Sequence, residues 1–140
     1  MDKIAKFIND NLNYDCVFIG TDSKNMRNTT RYVSVVAVYK YGVGGKTLRL
    51  HRTEKLANSL RHRLTNEAWY SLEVAMTVSK IIPEYMDIEV HLDVNKNLKF
   101  KSGKFATQLH GLITAQGFNC KLKPDSWCAS SVADREVRNV

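Results

Sequence analysis

Four carboxylates stand where a single site could be assembled from them: Asp22, Glu67, Asp93 and Asp134. Asp22 closes the apolar run Val17-Phe18-Ile19-Gly20-Thr21, and Asp93 closes a second, Ile88-Glu89-Val90-His91-Leu92. Glu67 falls in the first half of a long helical pattern, and Asp134 opens a short one. If the two runs are neighbouring strands and the helices pack on their sheet, the four converge at one sheet end. Carboxylates gathered in this way repel one another until divalent cations neutralise them, as in a metal site built for phosphate chemistry.

Each has a plainer reading. Asp22 at a strand-to-turn boundary could cap the turn, although Lys24 and Arg27 follow in a polar loop and suit a phosphate. Asp93 shares that ambiguity, with Asn95 and Asn97 close behind, and gains weight from its pairing with Asp22. Glu73 competes with Glu67, but six residues turn a helix by a net angle of about 240°, so both cannot face one site. Glu67 is nearer the helix entry. Ser131-Val132-Ala133-Asp134 also reads as a capping box, with Asp134 at the third helical position. His91 shares a sheet face with Asp93 in a regular strand, as a proton shuttle or as a core histidine with one hydrogen bond. His62 and His110 read as exposed helix residues. No Cys-His or Ser-His constellation supports covalent catalysis, and Gly42-Val43-Gly44-Gly45 lacks the Lys-Ser/Thr ending of a phosphate loop.

The positioning elements follow from periodicity. Ile4, Phe7, Ile8 and Leu12 predict a helix over residues 2–12, followed by a strand at 15–21. Residues 31–40 are β-branched and aromatic, as in a strand covered on both faces. The glycine-rich turn leads to a third strand near 46–53, in which Leu48 and Leu50 alternate with Arg49 and His51. Between Ser59 and Ile82, Leu64, Ala68, Leu72, Ala75, Met76 and Ser79 mark one helical face, and Pro83 ends it. A fourth strand is expected at 88–93. Ser102 caps a helix with Phe105, Leu109, Leu112 and Ile113 on one stripe, stopped by Gly117. A fifth strand near 118–123 ends at Pro124, and Ser130 or Ser131 caps a last helix. A meander followed by two β-α-β crossovers gives an α/β fold. Its mixed five-stranded sheet has order 3-2-1-4-5, with helices on both faces.

At 140 residues the chain reads as one domain, 1–140, and its 44% apolar and 25% charged composition excludes disorder. A net charge of +7 favours a polyanionic partner. The basic residues come in groups: Lys24, Arg27 and Arg31; Arg61 and Arg63; Lys96, Lys99, Lys101 and Lys104; Lys121 and Lys123; Arg135 and Arg138. Phe100, inside the third group, could stack on a base or sugar. Cys16, Cys120 and Cys128 have no CxxC spacing and read as reduced thiols. The charged N-terminus and the lack of a membrane-length apolar run point to a cytoplasmic protein, without membrane or organic cofactor.

The order of elements, with Asp at the end of the first strand, is similar to the ribonuclease H-like fold. The wording resembles its bacterial YkuK-like branch more closely. The phrases are Ile19-Gly20-Thr21-Asp22-Ser23, Ser59-Leu60-Arg61 with Glu67, and His91-Leu92-Asp93, then Lys121-Leu122-Lys123-Pro124-Asp125-Ser126 and Ala129-Ser130-Ser131-Val132-Ala133-Asp134. The resemblance implies Mg²⁺ or Mn²⁺, two ions, held by Asp22, Glu67, Asp93 and Asp134 as catalytic ligands. It also implies hydrolysis of phosphodiester bonds to a 5′-phosphate and a 3′-hydroxyl. Ser23 stands where ribonuclease H proper typically has glycine, and the extended basic insert of some ribonucleases H is missing.

The expected function is a two-metal-ion nuclease acting on RNA, DNA or a hybrid. Lys24, Arg27, Lys96, Lys99, Lys101 and Lys104 would grip the strand. The alternative is a nucleic-acid-binding or regulatory module that keeps the fold without turnover.

Overall fold

In the computed structural model of the chain, residues 2–95, 97 and 103–128 are described, Asp2 and Lys104 by backbone alone. Three helices and five strands follow in the order α1 (Asp2–Asn9), β1 (Cys16–Asn25), β2 (Thr29–Lys40), β3 (Gly44–Lys55), α2 (Leu60–Ser79), β4 (Asp87–Asn95), α3 (Gly103–Thr114) and β5 (Asn119–Lys123). The sheet has order β3-β2-β1-β4-β5. β1 is antiparallel to β2, β2 to β3, and β4 and β5 run parallel to β1. This is the expected mixed sheet of the ribonuclease H-like fold.

Strand alternation gives the sheet two unlike faces. One carries Val17, Ile19, Val36, Val38, Ile88, Val90 and Leu92, packed against α1, α2 and α3 in the main core. The other carries Val33, Val35 and Ala37, with Phe18 and Cys128 upon them. All three described helices lie on the first face. The last helix, expected from Ser130 or Ser131, falls outside the described residues, as does the Ser102 cap.

Two expectations are corrected. β1 does not stop at Thr21: it runs on through Asp22 to Asn25, because β2 continues to pair with it as far as Asn25↔Thr30. Asp22 and Lys24 are therefore strand residues, and the turn comes later, around Arg27. On α2, Met76 and Ser79 are exposed, whereas Ser71, Val74 and Val78 are buried with Leu64, Ala68, Leu72 and Ala75. At about 100° per residue, Met76 lies roughly 120° from Leu64 and Val78 only about 40°, so Val78 continues the stripe. Ser59 caps α2, its hydroxyl accepting from the His62 amide at 3.0 Å, and Gly117 (φ 88°) ends the turn after α3.

Candidate metal-binding and nucleic-acid site

β1 and β4 pair from Cys16↔Asp87 to Gly20↔His91. Asp22 and Asp93 each lie two residues beyond that last pair, so they leave the sheet at the same end and on the same side. The side is fixed by Thr21, whose hydroxyl meets Ser71 of α2 at 2.7 Å. Alternation turns Asp22 to the opposite face, and likewise Asp93 against the core residues Leu92 and Val94. Asp22 is 7% exposed and its Oδ1 accepts the Ser23 amide at 2.8 Å.

Glu67 approaches from the helix side. It is 4% exposed, and its Oε2 accepts the hydroxyl of Ser23. Burial, then the negative charge of Asp22, pushes its carboxyl well above the ordinary carboxylate range. The Ser23 hydrogen bond opposes this, the charge of Asp93 adds to it, and Arg63 opposes it again. Glu67 thus lies within reach of the negative charges of both Asp22 and Asp93. Glu73 is elsewhere: half a turn from Leu64, it binds Arg52 at 3.0 Å on the surface.

The side chains are not drawn up as a ready-made cage. Among the described residues no three carboxylate, imidazole or thiol groups gather closely enough to hold a metal ion. Glu67 is turned to Ser23, and Asp93 accepts the ammonium of Lys123 at 2.9 Å. Asp134 lies outside the described residues, as do Lys96, Lys99, Lys101 and Phe100 and the side chain of Lys104. Lys24 and Arg27 are exposed. Lys24 shares the face of Asp22, two residues on, and is paired with Arg31 of β2. Arg31 and Arg63 each have a buried Nε without a hydrogen-bond partner.

His91 takes the structural role. Fully buried, it accepts the Cys128 amide on Nδ1 at 3.1 Å, which leaves the proton on Nε2 to be donated to Glu89 at 2.8 Å. Burial lowers its pKa, with Glu89 opposing. Its ring lies 5.3 Å from those of Phe18 and Trp127. It has two hydrogen bonds rather than the single one expected, and both nitrogens are engaged. Cys128 beside it is pushed up to about 12 by burial, which makes it inert as a nucleophile. Cys16, Cys120 and Cys128 are all free thiols.

Sequence reasoning missed the hydroxyls beneath the site. Thr21 Oγ1 lies 2.7 Å from Ser34 Oγ and 2.7 Å from Ser71 Oγ, joining β1, β2 and α2 inside the core. The available signal was polar residues at positions that alternation assigns to the apolar side. Lys123 was read as part of a basic group and of a phrase shared with the family, not as a partner of Asp93. Its alternation with the buried Leu122 was the clue that it shares a face with Asp93.

Comparison with known proteins bears on this arrangement. The chain is 30% identical over 132 residues to "Uncharacterized protein YkuK" of Bacillus subtilis (strain 168), covering 84% of this chain and 76% of that one. RNase H1 of the halophilic archaeon Halobacterium salinarum NRC-1 superposes with a TM-score of 0.48 at 16% identity, covering 89% of this chain and 99% of that one. The N-terminal RNase H domain of rv2228c from Mycobacterium tuberculosis, solved as a fusion with maltose-binding protein, gives a TM-score of 0.40 at 11% identity over 89% and 94%. The ribonuclease H-like family model matches residues 1–138, nearly the whole length. By that match, and by the strand order that sets Asp22 beside Asp93, the chain belongs to the ribonuclease H-like family.

Proposed function

We propose that this chain is a divalent-metal-dependent nuclease that hydrolyses nucleic-acid phosphodiester bonds in the cytoplasm. The observation that carries the reading is the convergence of Asp22, Asp93 and Glu67 from β1, β4 and α2 at one sheet end. The donors fit a hard cation such as Mg²⁺ or Mn²⁺: all are oxygens, and Glu67 is held almost wholly out of water against the charges of the other two. Asp22, Glu67 and Asp93 would hold the metal, with Asp134 as a fourth ligand from beyond the described residues. Bound there, it would supply Lewis-acid polarisation of the scissile phosphate. The protein's own groups do the rest. The Ser23 amide and hydroxyl orient Asp22 and Glu67, and the hydroxyls of Thr21, Ser34 and Ser71 fix α2 against β1. Lys24 and Arg31 supply positive charge on the same face for the phosphate backbone.

The test uses labelled single strands, duplexes, hybrids and junctions with Mn²⁺. The wild type should cut at least one class. Asp22→Asn and Asp93→Asn should lose cutting yet retain binding, since the cations that grip the strand are untouched. Binding without cutting on every substrate would instead mark a nucleic-acid-binding module that keeps the fold without turnover.

A further inference from the structure

The end of the sheet away from Asp22 is built from a different chemistry. There β1 begins at Cys16, which pairs with Tyr39 of β2 and with Asp87 of β4. Tyr85 ties the approach to β4 to the approach to β1, its hydroxyl donating to the Leu12 carbonyl at 2.8 Å. Asp15 accepts the Tyr41 amide at 3.1 Å, and its own amide donates to the Tyr39 carbonyl at 2.9 Å. These contacts frame two adjoining cavities, with Tyr41 as a wall of both. One, of about 720 Å³, has Tyr14, Tyr41 and Tyr85 around it together with Asp15 and Asp87. The other, of about 390 Å³, is formed by Phe18, Tyr39, Tyr41 and Trp127, and carries no charged side chain among the described residues.

The aromatic side chains here are not spent on the core: Tyr41 is 71% exposed, Tyr85 66% and Trp127 39%. Folding gains little from large rings left in water, and such rings are the usual anchors of protein interfaces. The local charge is negative, on a chain whose net charge is +7. Burial raises the Cys16 thiol above its ordinary range, a hydrogen bond with Tyr41 opposes, and the charges of Asp15, Glu89 and Asp87 all add to the rise. Asp87 is exposed, and no hydrogen bond or ion pair engages it among the described residues.

A tyrosine-walled cavity with carboxylates suits an ammonium or guanidinium group, which ring faces and carboxylates attract together. The apolar cavity beside it suits an aliphatic or aromatic side chain. A free amine would fill the first and leave the second empty. A nucleic-acid strand would bring its phosphates against Asp15, Asp87 and Glu89. A peptide that carries both kinds of side chain fills both cavities.

We propose that this end of the sheet is a docking surface for a partner protein, which presents a lysine or arginine to the cavity of Tyr14, Tyr41 and Tyr85 and a neighbouring apolar side chain to that of Phe18 and Trp127. Tyr41 divides the two and touches both groups. The partner sits about 20 Å from Asp22, the length of six strand residues. It therefore leaves the carboxylate end open to nucleic acid.

The probe is acetyl-Arg-Gly-Leu-amide, titrated to millimolar concentration into the isotope-labelled chain and followed by amide chemical shifts. The amides of Asp15, Cys16, Tyr41 and Asp87 and the Trp127 indole should shift and saturate, with those of Asp22 and Ser23 unmoved. The citrulline analogue, which keeps the shape and loses the charge, should bind about tenfold more weakly, and so should the arginine peptide to Tyr41→Ala or Asp87→Asn. Both positions are exposed, so the variants should fold, and a circular dichroism melt verifies that they do. Arginine and citrulline peptides that bind alike, or an arginine peptide that moves none of these amides, would overturn the proposal. The same amides shifted by a single-stranded oligonucleotide would make this a nucleic-acid surface and overturn it. Shifts that arise on concentrating the chain alone would make the occupant a second copy, and overturn it too.

Discussion

The hydroxyl of Ser23 donates to the carboxylate of Glu67, forty-four residues along the chain, one strand step beyond the point where Thr21 meets Ser71. The two contacts match in pitch. Two residues of a strand advance about 6.7 Å, and four residues of a helix rise about 6 Å. Ser23 and Thr21 on β1 therefore meet Glu67 and Ser71 on successive turns of α2. The buried hydroxyls dock the helix, and the docking delivers Glu67 to the sheet end where Asp22 and Asp93 emerge.

That delivery opposes stability. A carboxyl raised by burial and by Asp22 binds its proton more tightly folded than unfolded, so its contribution is fully present below pH ~4.5 and is lost as pH rises through its folded pKa. Glu67→Gln removes the charge and keeps an oxygen for Ser23. Without metal, it should melt higher than wild type at neutral pH, and the gap should close by pH ~4. Thermal melts across that range check it. A variant that melts lower at neutral pH would show that Glu67 is compensated in its site.

Metal should reverse the effect. An ion that binds only the folded state stabilises it by about 2.7 kcal/mol at a hundred times its Kd. Millimolar Mn²⁺ should raise the wild-type melting temperature, and Asp22→Asn should lose most of the rise. Equal shifts in the two proteins would place the ion elsewhere.

Ser71→Ala should cost about 1 kcal/mol in urea unfolding, because Thr21 keeps Ser34 as a partner. Thr21→Val should cost more, because it strands two hydroxyls, Ser34 and Ser71, in the core. The same variants should lower activity through kcat more than KM, since they move Glu67 and leave the strand-gripping cations in place.

Nucleic-acid binding should weaken steeply with salt. Each phosphate contact contributes about 0.9 to the slope of log K against log salt. Lys24→Ala with Arg27→Ala should flatten the slope by roughly 2 if both side chains touch phosphate. The Mn²⁺-induced melting shift should be unchanged. An unaltered slope would remove both from the interface.

The sequence alone specified the sheet, because the period-2 and period-3.6 patterns are local and the crossover rules leave few ways to join them. It also determined that Asp22 and Asp93 share a sheet end, since each follows its apolar run by the same offset. Helix arithmetic separated Glu67 from Glu73, and burial agrees, with Glu67 inside and Glu73 bound to Arg52 outside. The meetings between side chains of different elements came only with the three-dimensional packing. Nothing near Ser23 in sequence names Glu67 as its acceptor, and nothing near Lys123 reveals a register slip that carries it to Asp93. The extension of β1 past Asp22 was illegible for the same reason: residues 22–25 are polar, and their pairing depends on β2 lying alongside.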